Sequence, residues 1–133
     1  GDADEGEPDV DAPCARIHWV GLDTEVAEDN LRQARQRIVT QISVLHEKAR
    51  SSEEAVLLAE KTLEIAKQQL AAEQARYATG SSTSVQVLEA EDKVRSAQLR
   101  VARLRADFME SVLAITHYTG ELLDRYAGVT SGR

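Results

Sequence analysis

Two long seams, built from side chains alternately three and four residues apart, run through most of this chain and leave it little choice of fold. The first passes through Ala27, Leu31, Ala34, Ile38, Ile42, Leu45, Ala49, Val56, Ala59, Leu63, Ala66, Leu70 and Tyr77, with Ser52 and Glu73 at the two steps no apolar residue fills. The second passes through Val87, Ala90, Val94, Ala97, Val101, Leu104, Phe108, Ser111, Ile115, Tyr118 and Leu122. That spacing puts one side chain per turn on a single helix face, where a partner helix covers it. One extra step of four near Ile38–Ile42 is a stutter, which alters the winding without ending the seam. Large and small residues alternate along much of the first seam, so a partner helix can approach closely.

Composition supports an all-α chain with a thin core. Hydrophobic residues make up 42% of the sequence but aromatics only 4%, and both prolines, Pro8 and Pro13, precede the seams. Good helix formers dominate from residue 24 onward. Asp23 or Thr24 is the expected N-cap of the first helix, with Glu25 favourably placed near its positive end. Ser51-Ser52-Glu53-Glu54 would suit a fresh helix start, yet the seam crosses it in phase, which favours one continuous helix. Upstream, residues 16–23 contain the short apolar patch R-I-H-W-V-G-L. It reads equally as a brief edge strand, because Ile17 and Trp19 alternate with Arg16 and His18, or as an extended arm with Trp19 packed on the next helix.

Charge is uneven. Six acids and no basic residue lie in residues 1–13, and they account for all but one of the seven net negative charges. Residues 1–15 therefore read as a disordered acidic tail, residues 24–126 as the helical body, and residues 127–133 as a frayed C-terminal tail. In the body Lys and Arg alternate with acids instead of clustering, so no nucleic-acid surface is expected.

Between the seams lies A-T-G-S-S-T-S. Gly80 suits the left-handed position that closes a helix, and Thr83 followed by Gln86 fits a capping box opening the next. Thr119 and Gly120, weak helix formers, are expected to loosen the second helix near its end. So short a link makes the two helices antiparallel neighbours. The expected fold is a long antiparallel helical hairpin, a coiled coil with its tip at residues 78–84. A second stripe flanks each seam: Ala55, Leu58, Thr62, Ile65, Gln69 and Ala72 on the first helix, Leu99, Ala102, Ala106, Met109 and Leu113 on the second. One hairpin covers only its shared seam, so the extra stripes imply further copies, as in the wall of a helical tube or a larger bundle.

Reactive chemistry finds little support. His18, His46 and His117 lie on different segments, without the paired spacing of a metal site. The Ser-rich turn lacks the Lys and preceding strand of a phosphate loop. Glu89, Glu91, Asp92 and Glu110 read as a solvated charged face. Cys14 is the only cysteine, so it has no intramolecular disulfide partner, and D-A-P before it is unlike a lipoprotein processing site. No apolar run approaches the ~20 residues of a membrane helix, and no signal peptide is visible. A non-enzymatic protein without cofactor or metal is expected.

The tip and return helix carry a resemblance. R-Y-x-x-G-x-x-T-x-V-x-V-L-x-A-E (Arg76 to Glu91), then K-V-x-x-A-x-x-x-V-A-x-x-R-A-D-F (Lys93 to Phe108) and T-G-E-L (Thr119 to Leu122), resemble the C-terminal periplasmic hairpin repeat of TolC-like outer-membrane efflux channel subunits. The resemblance extends over about Val26 to Leu123. It departs at Thr79, where the family often has an aliphatic residue, at Ser82, often basic, and at Gln86, often Asp. It implies a homo-oligomer (a trimer if channel-like) on the periplasmic side of the outer membrane. It also implies a tip, Thr79, Gly80, Ser81, Ser82, Thr83 and Ser84, that docks the hairpin of a periplasmic adaptor. Full subunits of that kind carry two such repeats and barrel strands. This chain therefore reads as a piece of a channel subunit or as a stand-alone hairpin related to one. The alternative is a structural hairpin that self-assembles into a bundle, tube or filament without transport. If the tip is only a turn, Ser81→Arg and Ser82→Arg are both expected to be nearly silent.

Overall fold

The computed structural model describes the backbone of residues 11–130 and the side chains of residues 16–128. Two helices make up the described chain: α1, Asp11–Ala78, and α2, Ser84–Thr130. No strand occurs among the described residues. The chain divides into two units, Gly1–Gln41 and Ile42–Arg133.

In the second unit the two helices pack against each other as a hairpin. Burial follows the seams. Ala49, Ala59, Ala66 and Val101 are its buried apolar residues, and Ser111 is buried with its hydroxyl donating to the Phe108 carbonyl at 2.6 Å. Leu45, Val56, Leu63, Leu70, Val87, Val94, Leu104, Phe108 and Ile115 are half-buried. Two helices share one line of contact, so short side chains on that line can be covered fully while larger ones reach its edges. Val101, at 4% exposure, contributes on the order of 1.5–3 kcal/mol by burial. Register across the seam is marked by Arg105, whose Nη2 and Nε donate to Glu60 Oε1 at 2.6 and 3.2 Å.

Continuity past Ser51–Glu54 is plain: α1 runs through it, and Arg50 pairs with both Glu47 and Glu54, at 3.4 and 3.9 Å. Not every seam residue is covered. Ile42 is 43% and Tyr77 52% exposed, and in the first unit Leu31 is 61% exposed.

The described part of the first unit is one stretch of α1, which corrects the reading of residues 16–23 as an arm or edge strand and moves the helix start from Asp23 or Thr24 to Asp11. Pro13 does not prevent this, because the first-turn N–H groups have no intrahelical acceptor. Thr24 is not a cap: its hydroxyl donates back to the Val20 carbonyl at 2.8 Å, the bond of a mid-helix threonine. The acidic-tail reading of residues 1–15 falls partly outside the described residues, and residues 11–15 are helical. Ile17, Trp19, Val20 and Val26 are exposed.

The second helix also outruns expectation. It passes through Thr119 and Gly120 and on to Thr130, so residues 127–130 are its last turn and not a frayed tail. Thr116 and Thr119 donate to the carbonyls of Val112 and Ile115 along this stretch, which keeps both hydroxyls satisfied without leaving the helix. Residues 131–133 lie outside the described residues.

Candidate docking tip

The turn at residues 79–83 is assembled from the backbone first. Gly80 sits at φ +83°, the only positive φ among the described residues. Ser81 N–H donates to the Arg76 carbonyl at 2.8 Å and Gly80 N–H to the Tyr77 carbonyl at 3.0 Å. These two bonds form a Schellman closure of α1, which satisfies carbonyls the helix end would otherwise leave open. Thr79 Oγ1 donates to the same Arg76 carbonyl at 3.0 Å.

The start of α2 is closed reciprocally. Thr83 N–H donates to Gln86 Oε1 at 3.1 Å, and Gln86 N–H donates to Thr83 Oγ1 at 3.3 Å. This is the capping box expected from the sequence.

A third layer, made of side chains, links the two ends. Glu73 Oε1 accepts from the Ser82 hydroxyl, and Glu73 Oε2 accepts from Arg76 Nη1 at 3.2 Å. Ser82 Oγ also lies 2.9 Å from Gln86 Oε1. The network therefore runs from Arg76 through Glu73 and Ser82 to the capping box. Two of the three departures from the tip pattern, Ser82 and Gln86, belong to it. A polar cleft of about 400 Å³ opens beside it, bordered by Gln69, Arg76, Glu89 and Lys93.

The structure thus brings Thr79, Gly80, Ser81, Ser82 and Thr83 together in one turn, with Ser84 as the first residue of α2. Ser82 is half-buried, whereas Thr79, Ser81, Thr83 and Ser84 are exposed. Ser82→Arg cannot then be the silent change expected for an exposed turn, because it would break the Glu73 bond. Three further residues stand out. Tyr77, Val85 and Leu88 are 52%, 60% and 58% exposed and place apolar surface around the polar tip. Of these, Tyr77 lies on the seam. Val85 and Leu88 fall off it, and the period of the seam alone would have marked them as outward-facing.

Along the body, the outer stripes stay open. Leu58, Ile65, Leu99, Met109 and Leu113 are all exposed. A shallow groove of about 570 Å³ runs beside the seam, with Ile65 and Thr62 on one side and Ser96 and Arg100 on the other. Among the described residues no group of three or more His, Cys, Asp or Glu side chains is placed to hold a metal ion, and no helix is long and apolar enough to cross a membrane. His117 Nε2 lies 3.0 Å from Glu121 Oε1 on the same helix.

Comparison with known proteins gives one family. No curated protein and no solved structure matches the chain. The family model described as outer membrane efflux protein matches residues 23–121, which takes in most of α1, the tip and most of α2. The chain belongs to the outer membrane efflux protein family.

Proposed function

We propose that this chain is a non-enzymatic wall element of an outer-membrane efflux channel, lying on its periplasmic side, and that its tip docks a periplasmic adaptor. The observation that carries this reading is the family match, which runs unbroken across both helices and the turn. Two structural features support it. The outer stripes leave apolar side chains exposed on both helices, as a helix awaiting neighbours would, since contiguous apolar surface on a monomer is unusual. At the tip, exposed hydroxyls and the exposed apolar side chains of Tyr77, Val85 and Leu88 occur within a few residues of one another, a mixed polar and apolar surface that a second helical turn can meet.

In this reading the partners are other copies of the chain, three if the assembly is channel-like, and the adaptor hairpin. Ser81→Arg is the cleanest test, because Ser81 is exposed and its N–H, not its side chain, closes the helix. The melt and the self-association of the variant are expected to match the unaltered protein, while pull-down of the purified adaptor from the same genome is lost. A bulky cation would hold the two tips apart or be buried unpaired. Unchanged adaptor capture would remove the docking role and favour a structural hairpin that assembles without transport.

A further inference from the structure

Most closing bonds of the turn are local: the Schellman pair, the Thr79 hydroxyl and the capping box all lie within five residues of sequence. Glu73 is different. It occupies a seam position flanked by Leu70 and Tyr77, its side chain is 18% exposed, and it reaches nine residues forward to Ser82. A carboxylate on a helix–helix contact line costs stability unless its oxygens are paired, and an apolar residue of similar size would fit the seam at no such cost. Both oxygens of Glu73 are paired, one by Ser82 and one by Arg76. Neither bond is needed to make the turn, because Gly80 and the capping box already make it.

We propose that Glu73 is a positioning residue for partner docking: through Ser82 and Arg76 it holds the tip loop in the shape a partner hairpin recognises, at some expense in hairpin stability. This role rests on the docking function proposed above. The physical gain is preorganisation. A loop ordered before contact does not lose that freedom on binding, so its affinity is higher for the same contacts. Arg76 adds to the effect because its carbonyl accepts the closing bonds of α1 while its guanidinium is tied to Glu73. Ser82 does the same on the other side, standing between Glu73 and Gln86.

The experiment compares five chains: unaltered, Glu73→Leu, Glu73→Gln, Ser82→Ala and the Glu73→Leu/Ser82→Ala double variant. Three quantities are read: the thermal midpoint, affinity for the purified adaptor, and hydrogen exchange at the Ser81 and Thr83 amides. Glu73→Leu is expected to melt at or above the unaltered midpoint, to exchange faster at the tip and to bind the adaptor at least tenfold more weakly. Ser82→Ala should lose similar affinity and melt lower, since it leaves one Glu73 oxygen unpaired on the contact line, and the double variant should lose little more affinity, since both changes cut one link. Glu73→Gln keeps an acceptor for Ser82 and should retain most of the affinity. Adaptor binding by Glu73→Leu equal to the unaltered chain would overturn the proposal. So would a fall in the Glu73→Leu midpoint in step with its loss of binding, which is the mark of a purely structural residue. If the unaltered chain itself binds no adaptor, the docking reading fails and takes this role with it. Tip exchange in Glu73→Leu would still tell whether the clasp orders the loop.

Discussion

The middle of the hairpin and its tip hold the same two helices together by opposite means. Around Val101, Ala59 and Ala66 the contact is apolar, made of small side chains at close approach, with one exposed ion pair, Glu60–Arg105, at its edge. Around Gly80 the contact is polar. Carbonyls, hydroxyls and a carboxylate are matched donor to acceptor, and the apolar side chains Tyr77, Val85 and Leu88 face outward. The middle is built for adhesion, which tolerates any apolar group of suitable size. The tip is built for shape, which depends on particular atoms. Substitutions should separate the two regions accordingly.

The largest effect belongs to the middle. Val101→Asp places an unpaired carboxylate on the contact line and should cost about 3 kcal/mol or more, seen as loss of the cooperative helical melt by circular dichroism. A mild shift would mean that the seam is looser than its burial implies. Next is Gly80→Ala. A Cβ there meets no neighbouring atom, so the cost is backbone strain alone, about 1–2 kcal/mol at positive φ. Thr83→Ala follows at about 1 kcal/mol through loss of its cap, with faster exchange at the Gln86 amide as its local signature. Arg105→Ala should cost less than about 1 kcal/mol, and the difference should shrink in high salt, because the pair is solvent-exposed. Smallest of all is Leu113→Ser, on an outer stripe and 62% exposed. The isolated hairpin should change by less than about 0.5 kcal/mol, while light scattering should show weakened self-association. Unchanged association would place the contact between copies elsewhere than on this stripe.

Legibility differed between these regions for the same reason that their physics differs. The seam was readable because helical period is a property of spacing, and most of the half-buried and buried residues from Leu45 to Leu122 fall on it. Gly80 and the Thr83–Gln86 box were readable because each acts within a few residues of itself. The N-terminal boundary is not legible in the same way: the alternation in R-I-H-W-V-G-L suggests an extended segment and Thr24 resembles a cap, whereas α1 starts at Asp11. No residue there forbids a helix. Gly21 lowers the preference by only ~1 kcal/mol, and Thr24 can satisfy its hydroxyl from inside the helix.

By itself, then, the sequence determined the helices, the face each presents, the turn between them and the closing of both helix ends, since each of these is settled by residues three or four apart. The tertiary structure decided what links distant parts of the chain. Glu73, an apparent gap in the seam, has one oxygen paired locally by Arg76, and its other oxygen finds a partner only when the turn brings Ser82 against it. Glu60 and Arg105, forty-five residues apart, became a pair only once the two helices took their register. Both depend on where the chain returns after the turn, and no local window of sequence carries that information.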